Sequence, residues 1–157
     1  MIIYRNYEKK INHKEIIDIK NLCKKNNLKF LIANNFKLAL KLGLDGVYIP
    51  SYNKTYNHLS YSYKKKFLLI GSAHNLKEIK NKEKQKVNRI VLSSIFKKNK
   101  NYLGLIKFQN LINLSKQNII ALGGISNKNL KKIYLTKAIG FAGITFFQKK
   151  RPLKGAF

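Results

Sequence analysis

The sequence predicts a parallel α/β fold of the (β/α)-barrel type with about seven strands. Three observations predict it. Short, continuously apolar and β-branched runs recur along the chain with helix-spaced segments between them, the pattern of strands buried on both faces and covered by helices. Glycine and small polar residues collect just after those runs: Asn6 and Tyr7, Asn34 and Asn35, Ser51, Gly71 to His74, Ser93 and Ser94, Gly123 and Gly124, and Thr145. Finally, Asn118-Ile-Ile120 leads into Ala121-Leu-Gly-Gly-Ile125 and is answered one helix later by Gly140-Phe-Ala-Gly-Ile-Thr-Phe-Phe147. The last strands of a (β/α) barrel build a phosphate cup in this way, at the end of the barrel where active sites sit.

Each element has its own justification. Ile2 to Arg5 is a short β-type run, and Lys14 to Lys25 spaces Ile16, Ile17, Ile19, Leu22 and Cys23 as a helix does. Leu28 to Ala33 reads as strand, Phe36 to Leu42 as helix, and Gly46 to Ile49 as a strand stopped by Pro50. A polar, Tyr-rich segment, Tyr52 to Lys66, leads into the strand Phe67 to Ile70 and a helix from Asn75 to Lys86. Arg89 to Leu92 is the next strand, followed by a Lys/Asn-rich loop and a helix from Gly104 to Ser115. Ile119 to Leu122, a helix from Asn129 to Lys137 and a final strand from Gly143 to Phe147 complete the series. No linker or repeat divides the 157 residues, so one domain over residues 1–157 is expected.

Composition excludes more than it assigns. The formal charge of +27 raises nucleic-acid binding as a class. Nearly all the cations are lysines, however, with Arg only at Arg5, Arg89 and Arg151, and Lys, Asn, Ile and Tyr are over-used together. Those four share A/T-rich codons, so codon bias accounts for the charge, which by itself speaks to solubility and non-specific binding. A single cysteine, Cys23, makes neither an internal disulfide nor a Cys-rich metal site and reads as a core thiol. No apolar run approaches membrane-spanning length and no leader-like segment opens the chain, so a cytoplasmic location is expected. Of the histidines, His74 is the candidate for proton transfer, since imidazole titrates near neutrality. His13 and His58 lie in polar segments and are expected to be exposed.

The glycine and polar motifs carry a family resemblance. Gly46-Val-Tyr-Ile-Pro50 resembles the "GVHLG/GVHLP" strand of thiamine phosphate synthases and their TenI-like relatives, and Gly71-Ser-Ala-His74 resembles their "S-x-H" turn. Ser93-Ser-Ile-Phe96 with its lysines is similar to their "GPIFPT..K" strand and loop, Ala121 to Ile125 to "AIGGI", and Gly143-Ile-Thr145 to the "GVAVIS" end. The resemblance runs in order over almost the whole chain. It implies a TIM-type barrel that here lacks its first strand and helix, because Ile2 to Arg5 matches the second strand. A chain truncated in this way at its N-terminus would keep two apolar sheet edges.

The family's synthase joins a hydroxymethylpyrimidine diphosphate to a thiazole phosphate and releases pyrophosphate. The resemblance therefore implies phosphorylated pyrimidine and thiazole ligands, and Mg²⁺ beside the diphosphate. The "QLR.K" strand reads Ile3-Tyr-Arg-Asn-Tyr7, so Arg5 keeps the cation while Ile3 and Tyr7 replace Gln and Lys. "ND" reads Ala33-Asn34 and the acidic position of "GQED" reads Asn53, so the expected metal ligands Asn34 and Asn53 are amides, a poor set for a hard dication. The pyrophosphate loop has become Lys97-Lys-Asn-Lys100. The expected catalytic set is Arg5, His74, Lys98 and Lys100, and the substrate and phosphate set is Asn34, Ser72, Gly123, Gly124, Ile144 and Thr145. The TenI branch's tautomerase histidine is matched by Ser94. Three classes stay open: the synthase, a TenI-like binder of thiazole phosphate or thiamine phosphate without synthase activity, and a basic nucleic-acid binder. No membrane partner is expected, and homo-oligomerisation is left open.

Overall fold

The computed structural model describes residues 1–6 and 12–148. Seven parallel strands form one sheet in chain order: β1 (Ile2–Tyr4), β2 (Phe30–Ala33), β3 (Gly46–Ile49), β4 (Leu68–Ala73), β5 (Arg89–Ser93), β6 (Asn118–Leu122) and β7 (Gly140–Ala142). Between them run α1 (His13–Lys25), α2 (Phe36–Lys41), α3 (Leu76–Lys84), α4 (Gly104–Asn113) and α5 (Leu130–Tyr134), with α6 (Thr145–Gln148) after β7. Every strand joins its sequence neighbour through a crossover, which gives the winding of a (β/α) barrel. Among the described residues β1 pairs only with β2 and β7 only with β6, so the sheet is open. No described helix is long and apolar enough to cross a membrane.

The two faces of the sheet have different partners because strand side chains alternate. Ile32, Val47, Ile49, Leu69, Ile90, Leu92, Ile119 and Ala121 pack with helix residues such as Ile16, Cys23, Ile79 and Phe108 in the larger core. Leu31, Tyr48, Ile70, Val91 and Ile120 form a second cluster on the inner face. Asparagine caps the first three helices. Asn12 accepts from the N–H groups of Lys14 and Glu15, Asn35 from Leu38 and Asn75 from Glu78. Asn35, counted above among the strand-end polar residues, is thus spent on capping.

Three expectations need correction. The last strand is Gly140–Ala142 rather than Gly143 to Phe147, and the segment after it turns into α6. Phe146 and Phe147 fold back onto Phe141, with ring centroids 4.9 and 5.9 Å away, a clustering that a strand pointing them to opposite faces would not allow. The Tyr-rich segment contains a 3₁₀ turn, Asn57–Ser60, that buries His58 to 2% exposure against Phe36, 4.9 Å between ring centroids. In addition, β4 extends through Ala73 because its pairing with β3 and β5 continues to Gly71, Ser72 and Ala73. Cys23 is buried in the core as expected, and burial raises its thiol pKa, the opposite of the lowering that its lysine neighbours would produce.

Candidate active site

The C-terminal ends of the parallel strands share one edge, and the candidate residues distribute along it in three groups. At the β1–β3 side, Arg5 follows β1 and its guanidinium carbon lies 5.8 Å from the centroid of Tyr48, on the inner face of β3. Tyr7 and Arg151 lie outside the described residues. Asn34 follows β2 in the left-handed region at φ 56°, a conformation asparagine tolerates better than most residues. Asn53 follows β3, and its amide N–H donates directly to the Asn34 side-chain oxygen. The structure therefore brings together the two residues at the expected metal positions.

Their bonding also tests the metal. The Asn53 oxygen already accepts from the Thr55 N–H at 2.8 Å and the Thr55 hydroxyl at 3.0 Å, while the Asn34 oxygen accepts from Asn53. Both oxygens face donors, neither carries charge, and no cluster of three acidic, His or Cys side chains exists among the described residues. This donor set does not fit Mg²⁺, which demands octahedral oxygen ligands and, beside a diphosphate, carboxylate charge. An open pocket of about 470 Å³ adjoins the pair, lined by Phe36, Tyr52, Lys54, Asn57, His58 and Tyr61 among others.

In the middle of the edge, Ser72 is buried on the inward-facing register of β4, level with Val91. His74 directly follows the same strand. Its Nδ1 lies 2.9 Å from Glu78 Oε2, and its backbone N–H donates to the same oxygen at 2.8 Å. Glu78, absent from the sequence-based set, orients the ring. The imidazole is held by its own helix start rather than by Asn34, Asn53 or the glycine turn.

The third group sits on the last two strands. The register pairs Leu122 with Ala142, which sets the Gly123-Gly124 turn beside Gly143, Ile144 and Thr145. The glycines are required: φ is +107° at Gly123 and +72° at Gly124, and an added Cβ would lie 2.3 Å from Ser94 Oγ in the first and 2.5 Å from the Lys97 nitrogen in the second. The turn is laced to the β5 loop, since Phe96 and Lys97 donate to Gly123 O at 2.8 and 3.2 Å and Ser94 Oγ donates to Lys97 O at 2.9 Å. This places Lys98 and Lys100, both exposed, in the loop that rests on the turn. Ile144 is 64% exposed, and Thr145 is exposed at the first position of α6 instead of at a strand end.

Family membership follows from sequence. The thiamine monophosphate synthase family model matches residues 1–147. The chain belongs to that family. A thiamine-phosphate synthase of Persephonella marina is 26% identical over 96% of this chain and 74% of its own length, and that of Hydrogenobaculum is 23% identical over 90% and 68%. Among solved structures, thiamine phosphate pyrophosphorylase from Pyrococcus furiosus superposes with a TM-score of 0.71 at 20% identity, covering 88% of this chain and 70% of that one. A citrate synthase matches with a TM-score of 0.61 at 10% identity, so the shared architecture by itself carries no activity. The family fold is thus present here as a curled, seven-stranded part of a TIM-type barrel.

Sequence reasoning missed two residues beneath the site. Lys82 of α3 is 0% exposed, and its ammonium donates to Pro50 O at 2.7 Å, Asn53 O at 2.8 Å and Gln85 Oε1 at 2.8 Å. Burial lowers its pKa to about 8, an effect that Glu78 partly offsets. Gln85, also buried, donates to Asn53 O at 3.1 Å and Thr55 O at 2.7 Å. The available signal was a lysine three positions after Ile79, where the helix turns its apolar stripe inward.

Proposed function

We propose that this chain acts in thiamine phosphate synthesis. It takes a thiazole phosphate at the turn formed by Gly123, Gly124, Ile144 and Thr145, and joins it to a pyrimidine diphosphate held toward Arg5 and the Asn34–Asn53 pair. The observation that carries the reading is the Leu122–Ala142 register, which sets a glycine turn beside a second small-residue turn at the C-terminal edge of the last two strands. That is where (β/α) barrels hold phosphate, and glycine lets backbone N–H groups approach an anion closely. Departure of a diphosphate needs positive charge on its oxygens. Arg5, Lys98 and Lys100 supply it at this edge, and His74, oriented by Glu78, is the proton-transfer group. Magnesium is given no role at Asn34 and Asn53.

The bonding of the amide pair favours a second reading, in which the chain binds thiazole phosphate or thiamine phosphate without turnover. One experiment separates them. Pure protein is incubated with both phosphorylated precursors, with and without magnesium, and thiamine phosphate is followed by chromatography while calorimetry records binding. Product formation supports synthesis, saturable thiazole phosphate binding without product assigns the binder, and absence of both overturns the proposal.

A further inference from the structure

We propose that Lys82 and Gln85 are positioning residues that hold the Pro50–Thr55 rim, and through it Asn53, in the shape the ligand meets. The ligand part of this inference rests on the function proposed above; the rim part does not.

The two side chains leave no donor idle. The three protons of the Lys82 ammonium match three acceptors, Pro50 O, Asn53 O and Gln85 Oε1, and the two amide protons of Gln85 match Asn53 O and Thr55 O. Apart from the Lys82–Gln85 bond, every one of these ends on a carbonyl of the rim. Within the rim, the Asn53 N–H donates to Pro50 O at 3.1 Å, and the Thr55 N–H and hydroxyl donate to the Asn53 side chain. The Asn53 amide then reaches Asn34, so a continuous path runs from α3 through the Asn53 carbonyl to the pair at the strand ends.

Gly71 shows that the sheet makes room for this path. A Cβ at Gly71 would lie 2.7 Å from Lys82 Cδ and 2.9 Å from Cγ, so the lysine stem crosses β4 over a bare α-carbon. A buried ammonium is costly unless each proton is matched. Glu78, the carboxylate that acts on this ammonium, is itself engaged with His74 and Asn75. An apolar side chain would fill the same space against Ile79 without that cost. What it would not do is grip the rim.

The test uses Lys82→Met, which keeps the stem and removes the ammonium, and Gln85→Met as an independent variant. Hydrogen exchange at the amides of residues 51–55 is read in the free protein, together with thermal melting and calorimetric titration with thiazole phosphate. The expected result for either variant is exchange at least tenfold faster in 51–55, with β6 exchange and melting temperature held, and thiazole phosphate affinity at least tenfold weaker. Unchanged exchange in 51–55 in folded variants overturns the inference. So does exchange that rises equally in β6, which marks a merely structural role, and so does failure of both variants to fold. If wild-type protein does not bind thiazole phosphate, the functional proposal fails while the exchange comparison still decides whether the two residues hold the rim.

Discussion

Gly124→Ala is the sharpest test of the turn on which the phosphate reading rests. The new methyl group would sit 2.5 Å from the Lys97 nitrogen and 2.9 Å from the Phe96 carbonyl carbon, on a backbone at φ +72°. The left-handed conformation costs an alanine about 1 kcal/mol relative to glycine. Both overlapping atoms are main chain, which cannot rotate aside, so relief requires the Ile95–Lys97 strand of loop to move away. That movement weakens the bonds from Phe96 and Lys97 to Gly123 O, each with a net value of about 1 kcal/mol. The total is about 2–4 kcal/mol, or roughly 4–16 °C in melting temperature for a domain of this size. Gly140→Ala is the matched control, because a Cβ there meets nothing within 4 Å and the backbone is not left-handed. Urea titrations of both variants decide the matter. A Gly124→Ala protein within about 0.5 kcal/mol of wild type, or a Gly140→Ala protein equally destabilised, would refute the geometry of the turn.

Further outcomes follow from the same edge. Thr145→Val keeps the shape of the first α6 residue and removes its hydroxyl, so thiazole phosphate should bind about tenfold more weakly and the unphosphorylated thiazole equally well by calorimetry; equal loss for both would remove Thr145 from the phosphate site. Asn34→Asp combined with Asn53→Asp places two carboxylates where the amides now touch, so metal-free protein should melt lower and magnesium should raise the melting temperature, whereas wild type should show no magnesium-dependent shift. Cys23, buried with its thiol pKa raised, should react with a thiol reagent only at the rate of unfolding; rapid labelling of native protein would contradict its place in the core.

Much of the fold was legible because a parallel sheet writes itself into sequence as repeated apolar runs. Each of β1 to β6 overlaps an apolar run read in the sequence, β4 extending three residues past its own, and the sheet order repeats the chain order. The failure at Thr145 has a local cause. Gly143 to Phe147 has the β-branched and aromatic content of a strand, but the contacts of Phe146 and Phe147 with Phe141 decide the outcome, and those are invisible until the chain turns. His58 misleads for the same reason. Asparagine, lysine and tyrosine surround it in sequence, whereas Phe36 and the Gln85 carbonyl surround it in space.

The amide pair and the lysine below it differ in how much a sequence can say of them. Asn34 and Asn53 could be set together because the family resemblance gives both the same metal role, and the parallel pairing of β2 with β3 brings the segments after those strands side by side. Lys82 had no such marker. Buried cations are usually betrayed by an acid at the right spacing, but with 33 Lys and Arg residues against six acids, most cations in this chain have no acid to pair with. Its partners are backbone carbonyls, which every residue carries, so only the fold selects Pro50 and Asn53 from among them. The sequence-level trace is a break: a charged residue interrupts the inward stripe of α3 where Gly71 opens the facing strand. A lysine on an inward stripe opposite a strand glycine is therefore the pattern to seek when a buried cation holds a site loop by its backbone carbonyls.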